Sequence, residues 1–278
     1  MKPHSFLAAG LLASMLLGAG LAAHAADVSK RAARHAAARS GAAVQGRTWA
    51  EVARLPDFTT GIWETPLTPA AFAPGPQPQL TSAYAAKRKA FDDARKAGGE
   101  QDNPSANCVP PGMPGIMNQP YPMQILFGPG QVAIQLEAYM QIRHIHTDGR
   151  AHPSDPDQTY NGDSIGHWEG DTLVVDSVGF VPDTPLGLSY GVQHSSKMHV
   201  VERMRLVDPD TLTLTTTIDD PEALASPWIT SRTFKRHRDW TIAEYVCEQN
   251  NRNLVDPNGH AGIVLTPPPT AATNTPGE

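Results

Sequence analysis

One acidic residue lies within an apolar stripe of the sequence and is the leading candidate for chemistry. Steps of two along residues 198–206 place Met198, Val200, Glu202, Met204 and Leu206 on one face of a strand. A carboxylate there loses hydration, so it needs a cation or a hydrogen-bond donor as partner. Carboxylates in such pockets act as general acids or bases. Glu202 is therefore interpreted as an acid–base catalyst, or alternatively as half of a buried ion pair with an arginine.

Two histidines, His194 and His199, and the arginine Arg143 could complete an acid–base site around Glu202. His194 precedes the strand and His199 begins it, so either imidazole could exchange protons with the carboxylate. Arg143 ends an alternating segment, residues 132–143, on its polar face. If that face lines a pocket, the guanidinium would stabilise developing negative charge; if it meets water, Arg143 is an ordinary solvated residue.

His144 and His146 form an H-x-H pair that could hold a metal. On a strand both imidazoles point to one face, about 7 Å apart, which suits a shared divalent ion. His152 lies just beyond a turn at residues 148–150. A divalent metal is thus possible, although the predicted chemistry requires no cofactor. The alternatives are solvated histidines at a strand end and acid–base use of one histidine.

Other motifs give weaker signals. Residues 162–166 match G-x-S-x-G, but a nucleophile elbow needs a helix after its serine, and residues 167–172 predict a strand and hairpin instead, which favours a structural Ser164. No P-loop, G-x-G-x-x-G, H-E-x-x-H or C-x-x-C motif is present. The candidate substrate-binding residues are Arg203, Tyr139, Trp168 and His152.

Alternating segments separated by short turns predict the fold. Strands are expected over residues 132–143, 164–169, 172–180, 199–207, 211–218, 228–236 and 242–248. Hairpin-like turns at residues 169–171 and 208–210 join neighbours, which favours a mainly β protein, an antiparallel up-and-down, lipocalin-like barrel or else a sandwich. Gly61-Ile62-Trp63 is similar to the first strand of a lipocalin-like barrel. An N-terminal Pro-rich segment and one helix accompany it.

The ends of the chain predict export. Residues 1–25 have a basic start, an apolar run and a small-x-small ending, which indicates a signal peptide and a periplasmic or secreted product. A flexible leader is expected over residues 26–55, a Pro-rich segment with a helix at 83–97 over 56–123, the barrel over 124–250, and a disordered tail over 251–278. No later stretch is long and apolar enough to span a membrane.

Composition narrows the partners. The 278 residues carry a net charge of -6, without the basic field that nucleic acids require, so the expected partner is a small molecule. Cys108 and Cys247 are the only cysteines, and in an oxidising compartment they most simply form a disulfide, with a reactive thiol as the alternative.

Segments across residues 60–250 resemble a large family of exported, mostly uncharacterised bacterial proteins. The matching segments read PLTP (66–69), CVPPGMP (108–114), TDGRAHP (147–153), GDSIGHWEGDTLVVD (162–176), VGF (178–180), HS (194–195), HVVER (199–203), TIDDP (217–221), PW (227–228) and EYVC (244–247). The resemblance implies export and a β-rich domain, and it assigns no reaction. Residues 189–191 have no close match.

Two functions follow as expectations. The first is an exported enzyme that acts on a small, partly hydrophobic, aromatic or sugar-derived compound by acid–base chemistry, as a lyase, isomerase or hydrolase, in a barrel pocket. The second is a non-catalytic periplasmic carrier of lipocalin type. Convergence of Glu202, a histidine and Arg143 in a cavity would favour the enzyme.

Overall fold

The structure, a computed structural model, describes residues 47–69, 75–97, 100–102, 108–187, 191–247, 254–255 and 261–264. Two helices are present there, α1 (Trp49–Val52) and α2 (Ser82–Lys96), with 3-10 turns at Gly115–Asn118 and Ala138–Met140. The strands are β1 (Ile62–Glu64), β2 (Glu100–Asp102), β3 (Met123–Gly128), β4 (Gln131–Leu136), β5 (Gln141–His146), β6 (Asp163–Glu169), β7 (Thr172–Val178), β8 (His199–Asp208), β9 (Thr211–Asp219), β10 (Trp228–His237), β11 (Leu254–Val255) and β12 (Ala261–Val264).

Nine strands close into a barrel, in the order β1-β10-β9-β8-β7-β6-β5-β4-β3. The predicted mainly β barrel with a helix is therefore confirmed. Hairpins join β6 to β7 and β8 to β9 at the predicted turns. One neighbouring pair departs from up-and-down order, because β5 and β6 run parallel and the chain between them returns along the barrel.

The predicted single strand over residues 132–143 is wrong. The chain turns at Ala138–Met140, where Tyr139 and Met140 have positive φ, and β4 and β5 form a hairpin. This turn shifts the alternation by one residue. Arg143 consequently points inward beside Ile145, whereas Ile142 is exposed.

The predicted strand over residues 242–248 is also wrong, since residues 241–246 have no strand partner. Its expected place beside β10 is taken by β1, in register from Ile62 with His237 to Glu64 with Lys235. The barrel thus begins well before residue 124. Trp63 is fully buried under the Arg236 guanidinium, 4.3 Å from its ring, so the G-x-W segment serves as a barrel strand.

Apolar side chains fill the barrel. One cluster of side chains that are at most 2 % exposed comprises Trp63, Ile125, Ile134, Ile145, Leu173, Val175, Val200, Met204, Leu214 and Phe234. Barrels of this size have interiors that side chains can fill. In the described residues, these side chains form a packed apolar core inside the barrel.

Elements outside the barrel complete the described structure. Helix α2 matches the prediction within a residue, and Cys108 and Cys247 form the predicted disulfide. Strands β2, β12 and β11 form a small sheet, so part of the expected tail is paired.

In the described residues no helix is long and apolar enough to span a membrane. The predicted signal peptide and most of the leader lie outside those residues.

Candidate functional site

The predicted catalytic carboxylate is paired with the predicted arginine inside the barrel. Glu202 Oε2 accepts a hydrogen bond from Arg143 Nη2, and both side chains have zero exposure. The same nitrogen donates to Ser177 Oγ at 3.0 Å and, at 3.4 Å, to Ser164 Oγ. Ser164 is therefore part of a buried polar network and not an exposed nucleophile.

Among the described residues, no histidine bonds to this buried pair. Arg143 Nε and Nη1 and Glu202 Oε1 are buried without a hydrogen-bond partner among the described residues. Buried polar atoms of this kind are commonly satisfied by internal water. The arrangement closely follows the structural alternative raised for Glu202, a buried ion pair in the core.

His194 lies in a second, separate network. Its Nε2 is 2.5 Å from Thr184 Oγ1 and its Nδ1 donates to the Ser195 carbonyl at 2.8 Å. Ser195 in turn donates from its backbone nitrogen and its hydroxyl to Asp220. Burial lowers the pKa of His194 below 6.5, against the weaker opposing effect of its bond to Ser195. This network ties the β7–β8 connection to the turn after β9.

A third network joins two histidines and two aspartates on the outer face of the barrel. His152 Nδ1 lies 2.5 Å from Asp163 Oδ1, and its Nε2 lies 3.1 Å from Asp176 Oδ1. The same Asp176 oxygen lies 2.8 Å from His199 Nε2. We call these four residues the His–Asp chain.

Three neighbouring strands and one loop position the His–Asp chain. Asp163 begins β6, Asp176 lies near the end of β7, and His199 begins β8. Since Asp176 pairs with Ile165 and Val201, Asp163 and His199 are its diagonal neighbours on the same face. His152 reaches them from the loop that connects the parallel strands β5 and β6.

A glycine fixes the approach of that loop to β6. Gly162 has φ +70, and a Cβ there would lie 2.6 Å from the Phe180 ring and 2.7 Å from the Val178 carbonyl. Only glycine fits such a conformation without strain. Gly162 therefore sets the position of Asp163 relative to His152.

Each ring nitrogen of the His–Asp chain that contacts an aspartate has a defined partner. His152 contacts one aspartate through each of its ring nitrogens, and His199 contacts Asp176 through Nε2. His199 has the arrangement of an oriented base: Asp176 holds Nε2, Nδ1 has no hydrogen bond within the described residues, and the side chain is 41 % exposed.

The remaining predicted residues have other surroundings. Tyr139 lines a cavity with Tyr245. Trp168 packs against Phe58 and Phe127 at the core, and Arg203 pairs with Glu169 at the surface.

The H-x-H pair faces away from the core. His144 is exposed, while His146 is partly buried, and burial lowers the pKa of His146. Within the described parts of the chain, no group of three or more His, Cys, Asp or Glu side chains is arranged to hold a metal ion.

Sequence reasoning missed the two aspartates. Asp163 follows a loop and Asp176 ends a hydrophobic strand, so each has the pattern of a turn or strand-edge residue. The available signal was parity: Asp163 and Asp176 each lie one position from an inward serine, Ser164 and Ser177, and so share the outward face.

Comparison with family models and with curated proteins finds no match for this chain.

Proposed function

We propose that this chain is an exported enzyme in which His199 transfers protons to and from a small substrate. The observation that carries the proposal is the orientation of His199 Nε2 by Asp176, which leaves Nδ1 directed away from that partner on a partly exposed side chain. A base whose second nitrogen is held by a carboxylate is a recurrent catalytic arrangement.

The other members of the His–Asp chain support this role. Asp176 selects the tautomer of His199 and stabilises the imidazolium that forms when Nδ1 takes a proton. His152, bound between Asp163 and Asp176, balances the charge on Asp176 as His199 gains or loses a proton. Such positioned acid–base groups contribute about 10²–10⁴-fold to a rate.

The proposed substrate is a small, partly hydrophobic, aromatic or sugar-derived compound, and the reaction is an elimination, isomerisation or hydrolysis that one imidazole can catalyse. The site differs from the barrel pocket expected from the sequence, because it lies on the outer wall beneath the β5–β6 loop. The Cys108–Cys247 disulfide supports the exported location, since such bonds persist in oxidising compartments.

The test compares two histidine variants of the purified mature protein. Panels of one-ring aromatic esters, lactones and uronate-type elimination substrates are incubated with wild type, His199→Asn and His167→Asn, and products are followed by mass spectrometry. We expect turnover to fall by about 10²–10⁴-fold in His199→Asn.

His167 is the matched control. It lies outward on β6, its Nε2 is 3.1 Å from the exposed Glu169, and its own side chain is 65 % exposed. His167→Asn is expected to keep wild-type turnover. Full turnover in His199→Asn, or equal losses in both variants, would contradict a proton-transfer role for His199.

A further inference from the structure

A small cavity lies beside the disulfide, at the turn between β4 and β5. Its volume is about 270 Å³. The wall consists of Tyr139, Gln141, Pro110, Tyr245, Val246 and the Cys108–Cys247 disulfide. We call it the tyrosine cavity. The proton-transfer chemistry proposed above does not use any of these residues.

Two tyrosine rings form part of the wall. The rings of Tyr139 and Tyr245 are 5.5 Å apart, and Tyr121 packs edge-on against Tyr245 at 5.4 Å. Proline, valine and the disulfide sulfurs supply further apolar surface. Aromatic rings prefer offset or edge-to-face contact with another ring, so the wall is suited to a planar ring.

Unfavourable backbone conformations converge on the same cavity. Cys108, Tyr139 and Met140 have φ values of 59, 58 and 49, and they are three of the four non-glycine residues with positive φ in the described structure. Met140 is linked to the wall because its sulfur accepts a hydrogen bond from the Tyr245 amide. Such conformations are energetically costly for non-glycine residues and concentrate at functional sites and ligand clamps.

A pair of side-chain amides, Gln141 and Asn161, lies at the cavity. Gln141 Nε2 donates to the Tyr139 carbonyl at 3.4 Å, and Gln141 Oε1 accepts from Asn161 Nδ2 at 3.2 Å. Asn161 Oδ1 is buried and has no hydrogen-bond partner in the described residues. Gln141 lines the cavity, so a hydroxyl group on a bound ring could bond to its amide.

From this lining we propose that the tyrosine cavity binds a one-ring aromatic compound that carries a hydroxyl group. The cavity is open to solvent on one side, and its volume of about 270 Å³ has room for a substituted ring. Asn161 is two residues from Asp163, which limits the separation of their Cα atoms to about 7 Å. Since Asn161 bonds to the lining residue Gln141, a ring held here lies near the end of β6 that carries Asp163.

The experiment uses phenol as the probe and cyclohexanol as a non-aromatic ring of similar size. Binding is measured by chemical-shift titration of the methionine methyl groups in the full-length mature protein, with Met140 as the reporter. We expect phenol to shift the Met140 methyl and to bind at least tenfold more tightly than cyclohexanol. Tyr245→Ala should weaken phenol binding at least tenfold, and Tyr84→Ala, a tyrosine of helix α2, should leave it unchanged.

A second variant is needed because Tyr245→Ala removes part of the cavity wall. Gln141→Leu keeps an apolar wall but removes the amide, so it should weaken phenol binding while toluene binding stays within twofold of wild type. Equal binding of phenol and cyclohexanol, or unchanged phenol binding in both cavity variants, would overturn the proposal. His199→Asn should bind phenol like wild type. A negative result in the phenol test therefore leaves the catalytic proposal for His199 standing, and the reverse also holds.

Discussion

At the scale of single residues, the buried pair of Arg143 and Glu202 is the most consequential polar contact in the core. Both side chains have zero exposure, and each has at least one atom without a hydrogen-bond partner in the described structure. Removing one partner of such a pair leaves an uncompensated buried charge, whereas replacing both with apolar residues is often neutral or stabilising.

We therefore expect Glu202→Ala to lower the free energy of unfolding by about 3–5 kcal/mol. The double variant Arg143→Met, Glu202→Leu should recover most of that loss. Urea unfolding followed by circular dichroism measures both. Glu169→Ala, which removes the exposed partner of Arg203, is the control and should change stability little. A double variant no more stable than Glu202→Ala would argue that the pair has a role beyond charge compensation.

The sequence allowed half of this pair to be predicted. Glu202 lies in an uninterrupted alternating strand, so its inward direction follows from period two alone. Arg143 lies beyond the turn at Tyr139 and Met140, whose positive φ values have no glycine to mark them. Counting through the turn therefore assigned Arg143 to the wrong face, and no local pattern could correct it.

At the scale of elements, the connection from the β5–β6 loop into β6 depends on glycine conformation and on space. Gly162 and Gly170 both have positive φ, +70 and +63. A Cβ at Gly162 would collide with Phe180 and Val178, whereas at Gly170, in the β6–β7 hairpin, nothing lies within 4 Å.

We expect Gly170→Ala to lose about 1–2 kcal/mol, the ordinary cost of a left-handed alanine. Gly162→Ala should lose clearly more, because it adds a collision to the same conformational cost. Thermal and urea unfolding compare the two variants. Equal losses would mean that the chain around Phe180 adjusts without cost, and that Gly162 is required for its φ alone.

The strands of the barrel were more predictable than the site that they support. β6 through β10 follow alternation and turn residues closely. The short β1 could be located only by its G-x-W signature. The predicted strand 242–248 has an alternating pattern, but its described residues 242–246 have no strand partner. The His–Asp chain depends on a loop that brings His152 against two strands, and tertiary contacts of this kind leave no periodic signal.

At the scale of the whole molecule, one covalent bond joins distant parts of the chain. The disulfide links Cys108, ahead of β3, to Cys247, after β10, with a sequence separation of 139. Almost the entire barrel lies within this loop. Cross-linking a loop of that length stabilises a protein by about 4–5 kcal/mol in the chain-entropy model.

We expect the double variant Cys108→Ser, Cys247→Ser to unfold at lower urea concentration, with a loss of up to about 5 kcal/mol. Wild-type protein unfolded in the presence of dithiothreitol should approach the same midpoint. The variant itself should not respond to dithiothreitol, which controls for other effects of the reductant. Identical midpoints for oxidised wild type and variant would contradict the expected stabilisation.

The parallel contact between β5 and β6 follows from the odd number of strands. In a closed ring of nine, neighbouring directions cannot all alternate, so one seam must be parallel. This seam has only two paired positions, Ile145 with Ser164 and His146 with Ile165, and the β1–β3 seam has one. Together the two seams divide the barrel into a three-stranded sheet, β3–β5, and a six-stranded sheet. The barrel thus consists of two sheets of unequal size that are joined by few strand pairs. Separation of the sheets at these seams would admit water to Arg143 and Glu202.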